Sequence, residues 1–352
     1  MIYDFIIVGA AQAGLSMAYE LKQMNANYLV LDKEKEIGAS WLNRWDSLKL
    51  FTPTEFNHLK GLNFPAPKGH YPNKYEVADY FKTYVDTFEI PVQLHTLITK
   101  IYKNDGLFVL ESENKTFVSH NVVIATGPFH IPYTPPFHKK ISSQIKQWHS
   151  NYYKNPNQLQ DGDCLVVGAG DSGFQILDEI SQTGRKTYFS GQTQVKTLPQ
   201  EILGKTLWWW FCKTGYLSIH KHHWLGKIIS KSKQPVIGVD VKGILNRENV
   251  IAVGKTIDAE NDIIITENRS IKNIKNIIWA TGYRPNFNWI EDIELDKEGY
   301  PVHKRGVSNT KGLYFIGLPW LYTRGSATLG GIKQDADYLA EYISKTSELV
   351  PQ

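Results

Sequence analysis

The chain has 352 residues, with 39 Lys and Arg against 35 Asp and Glu and a net charge of +4. This length is typical of two domains, and the scattered excess of positive charge does not indicate a nucleic-acid partner. No apolar run reaches the roughly 18 residues that a transmembrane segment needs, so we expect a cytoplasmic protein. The two cysteines, Cys164 and Cys212, belong to no C-x-x-C pair, and we expect neither a metal site nor a dithiol centre.

The chain begins with a predicted strand that leads into a glycine-containing turn and a helix. Residues 6–14 read IIVGAAQAG and follow the dinucleotide-binding pattern G-x-G-x-x-G, except that alanine replaces the middle glycine. The backbone of such a turn approaches a pyrophosphate, and the N-terminus of the helix attracts the phosphate charge. The extra methyl group weakens this nucleotide cradle without abolishing it. Its expected members are Gly9, Ala11, Gln12, Ala13 and Gly14.

An acidic residue ends the next predicted strand. Residues 28–31 read YLVL, and Asp32 follows them, 23 positions after Gly9. In this fold an acid about 20 residues after the glycines binds the ribose hydroxyls of the nucleotide. Asp32, with Lys33 beside it, therefore favours a nucleotide with an unphosphorylated ribose, such as FAD or NAD.

A second glycine cluster is complete, and it also lies between an apolar strand and a helix with an apolar stripe. Its residues are Gly168, Gly170, Asp171, Ser172 and Gly173. The strand that follows, over residues 186–190, ends without an acid, so nothing opposes a 2′-phosphate. Ser190 and Gln192 are the hydrogen-bond donors there, and both NADPH and NADH remain open for this second site.

The two clusters belong to a longer internal repeat. Each is followed by an apolar strand that ends in A-T-G, 116 positions from Gly9 to Ala125 and 112 positions from Gly168 to Ala280. A hairpin signal precedes each of these strands, at residues 104–106 and near residues 260–262. The repeat predicts an α/β fold with two Rossmann-like dinucleotide-binding domains, the second inserted into the first.

Several motifs together resemble the flavin-containing monooxygenases, and bacterial members of this class B flavoprotein monooxygenase-like family in particular. They are the two glycine clusters, the paired A-T-G strands, residues 38–53 (GASWLNRWDSLKLFTP), residues 149–153 (HSNYY) and residues 313–331. The resemblance implies a glutathione-reductase-like architecture, with FAD bound by residues 1–157 and 276–352. It implies an NAD(P)H-binding domain over residues 158–275.

The resemblance also implies an activity. Such proteins reduce FAD with NADPH, bind molecular oxygen as a C4a-hydroperoxyflavin, and transfer one oxygen atom to a small molecule. Nitrogen or sulfur nucleophiles are typical substrates, and related enzymes take ketones. Further cofactor contacts implied by the family are Ser40, Trp41, Phe51, Thr126, Gly127, Thr281, Gly282, Arg284, Gly317 and Leu329.

Three expectations concern the chemistry at the flavin ring. A helix predicted to begin at Ser326 would place its positive N-terminus against the reduced flavin. Arg44 and Asp46 are the candidate polar groups near the oxygen, and an Arg–Asp surface pair is the alternative interpretation of these two residues. Phe51 stands where many relatives carry an asparagine, and a phenyl ring cannot donate a hydrogen bond to a peroxide. Release of hydrogen peroxide is therefore a plausible outcome.

Two further departures from the family concern residues that are not expected to contact the flavin ring. The linker before His149 carries Ser143 and Ile145 where relatives have Phe and Gly. Gln192 stands where strict NADPH users carry an arginine, so we expect relaxed coenzyme choice. Two other functions stay open on this sequence. One is a flavin-dependent NAD(P)H oxidase or reductase, and the other is a non-catalytic nucleotide-sensing partner of a cation transport system.

The segment over residues 204–231 is rich in Trp, His and Lys. It is interpreted as a helical hairpin packed on the inserted domain, as a roof over the substrate pocket, or as a contact with an anionic membrane surface. It is also the candidate contact of a homodimer. Its three histidines have no Cys or carboxylate at a spacing that completes a metal site.

Overall fold

The structure is a computed structural model that describes residues 1–232 and 234–346. Its helices are α1 Gln12–Gln23, α2 Ala39–Leu42, α3 Lys74–Thr87, α4 Asp171–Gln182, α5 Leu207–Lys213, α6 Trp224–Lys231, α7 Val241–Leu245 and α8 Lys333–Lys345. Short 3₁₀ helices cover Thr54–Phe56, Pro136–Lys140, Pro156–Gln158 and Tyr216–Ser218. Across the described ranges, no helix has the length and apolar character needed to cross a membrane.

The strands are short, apart from those around the repeat motifs. They are β1 Ile2–Val8, β2 Tyr28–Leu31, β3 Val92–Gln93, β4 Ile98–Asn104, β5 Leu107–Ser112, β6 Thr116–Ile124, β7 Ile131–Pro132, β8 Lys146–His149, β9 Asp163–Val167, β10 Thr187–Ser190, β11 Thr197–Leu198, β12 Glu201–Ile202, β13 Lys205–Thr206, β14 Val236–Ile237, β15 Val250–Ala252, β16 Thr256–Glu260, β17 Ile263–Thr266, β18 Ser270–Ile271, β19 Ile274–Trp279, β20 Tyr283–Arg284, β21 His303–Lys304, β22 Val307–Ser308 and β23 Leu313–Phe315.

The first sheet is built on five parallel strands in the order β3-β2-β1-β6-β23. Phe5, Ile6 and Ile7 of the central strand β1 are completely buried. A parallel strand that is covered on both faces needs such a continuous apolar run rather than an alternating one. The first half of β6 pairs with β5, which forms an antiparallel hairpin with β4.

The second sheet repeats this plan in the order β15-β10-β9-β19-β8, again with parallel pairs throughout. In each sheet the strand before the glycine cluster (β1 or β9) lies between the next strand in sequence and the A-T-G strand (β6 or β19). A separate antiparallel sheet, β16-β17-β18, follows in the place that β4 and β5 take in the first half. The predicted α/β fold with two Rossmann-like units is confirmed.

The edge strands show how one unit is inserted into the other. Strand β8 follows the first A-T-G yet pairs with β19, and β23 follows the second A-T-G yet pairs with β6. The second sheet therefore extends from Lys146 to Trp279. A glycine cluster marks only the strand directly before it, so the edge strand β8 carries no sequence signature.

Both predicted hairpin turns are confirmed. Asn104 pairs with Leu107, and the two turn residues have φ angles of +48° at Asp105 and +82° at Gly106. Positive φ at both central positions is the type I′ geometry that matches the twist of the flanking strands. In the second unit β16 and β17 are also joined by two residues, and Asn261 has a φ of +52°.

The C-terminal helix begins later than the sequence predicts. We expect it from Ser326, whereas α8 begins at Lys333. The hydroxyl of Ser326 instead accepts hydrogen bonds from the backbone N–H groups of Tyr322 and Thr323. Serine and threonine side chains that bond to nearby backbone favour turns over helix, which explains the delayed start.

The titration of His303, in β21, gives the fold a pH dependence that can be measured. Burial lowers its pKa to about 4, with a smaller contribution from nearby Lys221, and its Nδ1 accepts the N–H of Gly306. The native ring stays neutral between pH 6.5 and 4 while the unfolded chain takes up a proton, so stability is lost as the pH falls through this window. At pH 5 the loss is about 2 kcal/mol.

The variant His303→Asn tests this expectation, because an amide oxygen also accepts a hydrogen bond but does not titrate. We expect urea unfolding to show a smaller loss of stability between pH 7.5 and pH 5 in the variant than in the parent. Equal losses in the two proteins would show that His303 does not govern this pH dependence.

Candidate functional site

The first glycine cluster joins the end of β1 to the start of α1 by a very close approach of backbone. Gly9 has a φ of +110°, and a Cβ there would lie 2.7 Å from the carbonyl oxygen of Ala125. A Cβ on Gly14 would lie 1.8 Å from the carbonyl oxygen of Gly9. Glycine is therefore required at both positions, where it lets the start of α1 and the A-T-G strand pack directly against the turn.

Ala11 does not distort this turn. It precedes α1 with φ −93° and ψ −167°, and Gly170 precedes α4 with φ −97° and ψ −178°. The two residues have the same extended conformation, which any amino acid adopts. A Cβ on Gly170 would meet no atom within 4 Å, so the middle position borders open space. The alanine therefore adds no backbone strain to the turn, and its methyl group only reduces the space available to a ligand.

Asp32 lies at the end of β2, beside the glycine turn. Its Oδ2 accepts the N–H of Ala10 at 2.6 Å, and its Oδ1 accepts the N–H of Glu34 at 2.9 Å. These two bonds fix the carboxylate, whose remaining lone pairs can still accept hydroxyl hydrogens. The Lys33 ammonium lies 3.9 Å from the Glu34 carboxylate.

The C-terminal segment closes the first cradle from the other side. Gly317 has a φ of +80°, and a Cβ there would lie 2.7 Å from the Cβ of Ala13. Leu329 is buried in the same apolar cluster as Ala13. Other residues expected around this cradle are less buried: Gln12, Trp41, Thr126 and Gly127 are half-buried and Ser40 is exposed. The hydroxyl of Thr126 contacts Nε2 of His130 at 3.1 Å.

The second cradle has the same construction as the first. Gly168 has a φ of +126°, and Cβ atoms on Gly168 and Gly173 would lie 2.2 Å and 2.0 Å from the carbonyl oxygens of Ala280 and Gly168. The sequence did not single out Gly191, where a Cβ would lie 3.0 Å from that of Ala169. Gly191 therefore places no side chain on the side of the second cradle next to β10.

Asp171 and Ser172 form the first turn of α4. The Asp171 carboxylate accepts the N–H of Ile237 at 3.3 Å. Burial raises its pKa, while the bond from Ile237 and the charge of Arg324 oppose this increase. A carboxyl group at a helix N-terminus is favoured by the helix dipole. Ser172 is half-buried beside it.

Ser190 and Gln192, the expected ribose contacts, are placed differently. The Ser190 hydroxyl is buried and accepts hydrogen bonds from the N–H and the hydroxyl of Thr256, at 2.8 Å and 2.7 Å. Its own proton is its remaining hydrogen-bond capacity. Gln192 is exposed, one residue beyond the glycine that borders Ala169.

The second A-T-G segment is held by the linker between the units. The carbonyl of Gly282 accepts a bond from the N–H of Tyr133 and lies 3.0 Å from Nε2 of His149. The Thr281 hydroxyl donates to the Tyr133 carbonyl. The Arg284 guanidinium lies over the Tyr133 ring, 3.9 Å from its centre. These residues tie the two units together, and nothing in their contacts distinguishes a ligand role.

Arg44 and Asp46 do not form the surface pair that was the alternative interpretation. The Arg44 guanidinium donates to the Tyr283 hydroxyl at 2.7 Å and lies 4.8 Å from the centre of the Phe129 ring. Asp46 accepts from Lys74 at 2.7 Å, and the Lys74 ammonium also donates to the carbonyl of Arg44. Lys74 is only 2% exposed, so its pairing with Asp46 holds the loop before Phe51 in place.

Phe51 packs against the Trp-rich segment. Its ring stacks on Trp208 with centroids 5.9 Å apart and planes 13° apart. The Trp208 indole N–H also donates to the carbonyl of Phe51 at 3.0 Å. No sequence pattern indicates this pair, because its members lie 157 residues apart. An aromatic pair of this kind contributes about 0.5–1.5 kcal/mol beyond its buried area.

The cleft that Phe51 borders lies between the two units and has a volume of about 960 Å³. One wall comes from residues 47–51 and 69–76, and the other from α4 and residues 237–247. Glu179 lies in this cleft, and its carboxylate accepts the Tyr153 hydroxyl at 2.7 Å. Burial raises the pKa of Glu179. Neither Arg44 nor Asp46 lines the cleft.

The Trp-rich segment, residues 204–231, forms two short helices, α5 and α6, and contacts both units through α5 and His220. Leu207 and Trp208 form an apolar cluster with Ile237, against which Phe51 also packs. The His220 ring stacks on Tyr322, with centroids 5.4 Å apart. In the part of the chain that the structure describes, no three His, Cys, Asp or Glu residues group together as metal ligands.

The two cysteines differ in their environment, and this gives a prediction. Cys164 is completely buried in β9, and burial raises its pKa to about 12, while Cys212 is exposed on α5. We expect a thiol reagent to modify Cys212 alone in the folded protein and both residues after unfolding. The variant Cys212→Ser should remove the fast reaction without changing coenzyme oxidation. Loss of coenzyme oxidation in this variant would instead point to thiol chemistry.

Comparison with known proteins identifies the class. Two such glycine cradles on two parallel sheets are typical of proteins that bind two dinucleotides. A model of the pyridine nucleotide-disulphide oxidoreductase family matches residues 6–202. The protein belongs to this family and is an oxidoreductase.

Individual relatives are more specific. An uncharacterized CzcO-like oxidoreductase of Geobacillus kaustophilus is 43% identical, over 96% of this chain and 97% of its own. The probable indole-3-pyruvate monooxygenase YUCCA7 of Arabidopsis thaliana is 26% identical over 89% and 82% of the two chains. The structure of a flavin-containing monooxygenase from Stenotrophomonas maltophilia superposes with a TM-score of 0.81, at 23% identity and over 99% and 100% of the chains. The resemblance to flavin-containing monooxygenases is thereby confirmed.

Proposed function

We propose that this protein is an FAD-dependent, NAD(P)H-consuming monooxygenase that acts through a C4a-hydroperoxyflavin. Its substrate is a small nucleophile that reacts through nitrogen or sulfur, or a ketone. The observation that carries the proposal is the pair of equivalent glycine cradles, one on each of two similar sheets. Hydride transfer from a nicotinamide to a flavin needs a site for each of the two nucleotides.

The first cradle fits FAD. Gly9, Gly14 and Gly317 allow the close packing that forms the turn at the start of α1, and Asp32 offers a fixed carboxylate to a ribose. When bound there, FAD supplies the chemistry of hydride acceptance and oxygen activation. The protein's part is to orient the ring, to shield it from water, and to offer charge at its edge. We propose that residues 1–157 and 276–352 form the FAD domain, except that strands β8 and β19 at its borders belong to the second sheet.

The second cradle fits a nicotinamide nucleotide without a strict choice between NADPH and NADH. The strand end at Ser190 carries no acid that would oppose a 2′-phosphate, and Gln192 offers an amide in place of a charged arginine. We propose NADPH as the principal coenzyme and NADH as a second one. The relatives support a monooxygenase, since YUCCA7 and the Stenotrophomonas protein are named for that activity.

A second candidate function rests on Phe51. Because this ring offers no hydrogen-bond donor, an NAD(P)H oxidase or reductase on the same scaffold would also explain the site. The positions of Cys164 and Cys212, on different elements and without a second cysteine beside either, do not support disulfide reduction. Membership of an oxidoreductase family leaves the non-catalytic sensing function without support.

The test is rapid mixing of the purified, flavin-loaded protein. It is reduced without oxygen by NADPH and separately by NADH, and is then mixed with oxygenated buffer while the absorbance spectrum is followed. A transient spectrum that differs from those of oxidised and reduced flavin supports the monooxygenase. Direct return to oxidised flavin, with one hydrogen peroxide per coenzyme, contradicts the proposal and favours the oxidase.

A further inference from the structure

The outer face of α6, within the Trp-rich segment, has no role in the proposed reaction. Trp224 is 63% exposed and Ile228 is 61% exposed. Lys227 and Lys231 are exposed on the same helix. Positions 224, 227, 228 and 231 follow the i, i+3, i+4, i+7 spacing, so these four side chains share one face. We call this face, made of Trp224, Lys227, Ile228 and Lys231, the α6 face.

The opposite side of α6 fixes this orientation. Gly226 is buried, and a Cβ there would lie 2.1 Å from the carbonyl oxygen of His220. The helix therefore rests on the backbone at His220 through its only buried residue, and it cannot rotate to bury Trp224. The N–H of Lys221 donates to the carbonyl of Tyr322 at 2.8 Å, which anchors the preceding turn on the first unit.

The sequence on either side of α6 carries charged residues of a single sign. Residues 202–239 contain six lysines and three histidines and no aspartate or glutamate. The six lysines exceed the net charge of +4 of the whole chain, so the rest of the protein is close to neutral. Among the residues that the structure describes, neither Lys227 nor Lys231 takes part in an ion pair.

We propose that the α6 face binds the surface of an anionic phospholipid bilayer. An indole and an isoleucine side chain flanked by lysines suit the headgroup region, where apolar side chains reach the acyl boundary and ammonium groups meet phosphates. A second copy of this chain is a poorer partner. A twofold contact would place Lys227 and Lys231 against their own equivalents without acids to balance them.

The test measures binding of the flavin-loaded protein to sedimented vesicles. One set contains phosphatidylcholine alone and the other contains phosphatidylglycerol mixed with phosphatidylcholine, each at low and high salt. We expect binding to the anionic vesicles that weakens as salt rises. The double variant Trp224→Ser, Ile228→Ser should lower this binding about tenfold or more, and Lys227→Glu with Lys231→Glu should remove the preference for anionic lipid.

Ile257 provides the matched control, because it is 51% exposed on a different element, strand β16. Ile257→Ser should bind vesicles like the parent, and all variants should keep their flavin and thermal midpoint because the changed residues are exposed. Unaltered binding by the Trp224/Ile228 variant, or equal binding to neutral and anionic vesicles, would overturn the proposal. The proposal would also be overturned if the parent does not bind vesicles and forms a dimer that the Trp224/Ile228 variant dissociates. The α6 face would then bind a second copy of the chain.

Discussion

The variant Gly14→Ala is expected to be purified with little or no flavin. Alanine would ordinarily stabilise a helix by about 1 kcal/mol relative to glycine. Here the added Cβ would lie 1.8 Å from the carbonyl oxygen of Gly9, and that oxygen belongs to backbone that cannot rotate away. Overpacking costs about 1–3 kcal/mol, so the steric effect exceeds the helix propensity. Relief requires α1 to move away from the turn, which opens the cradle.

The measurement is the ratio of flavin to protein absorbance after gel filtration, followed by titration with added FAD. We expect the dissociation constant for FAD to rise about tenfold or more. Ala11→Gly is the control in the same loop. Since Ala11 already has the backbone conformation of Gly170, its replacement should leave folding unchanged and should retain or tighten FAD. Full flavin content in Gly14→Ala would show that the first cradle does not hold the flavin.

The architecture could be predicted from the sequence because its determinants are local. A few neighbouring residues determine each of three features: the glycine that permits a tight turn, the apolar run of a strand covered on both faces, and the two-residue turn at Asp105 and Gly106. Their repetition at similar spacing then predicts two similar units. The edge strand β8 and the late start of α8 at Lys333 could not be predicted in this way. Both depend on pairing and packing with distant segments.

The site was less predictable for the same physical reason. Arg44 and Asp46 are neighbours in sequence, yet their partners, Tyr283 and Lys74, lie far along the chain. A buried lysine is rare, and nothing in the sequence around Lys74 distinguishes it from a surface residue. The ribose contact expected of Ser190 illustrates a related limit. The residue type identifies a hydroxyl group at position 190, but only the fold shows that this hydroxyl already accepts a hydrogen bond from Thr256.

Phe51→Asn is expected to lower the fraction of coenzyme electrons released as hydrogen peroxide. The side chain borders the cleft between the units, and the resemblance to flavin-containing monooxygenases implies an asparagine at this position. An asparagine would add an N–H donor, and a hydrogen bond to a charged acceptor is worth about 1.5–3 kcal/mol, or roughly a tenfold or larger effect on a rate. The loss of the stack on Trp208 costs about 0.5–1.5 kcal/mol and acts on stability.

Phe51→Leu separates these two effects, because leucine removes the ring without adding a donor. The ratio of peroxide to NADPH consumed should fall in Phe51→Asn and stay at the parent's value in Phe51→Leu. An equal fall in both variants would mean that the aromatic stack, rather than the missing donor, controls the fate of oxygen. No fall in either, with coenzyme oxidation intact, would favour an oxidase. Phe51 would then be suited to releasing peroxide, and the ring's contact with Trp208 would serve only to close the cleft.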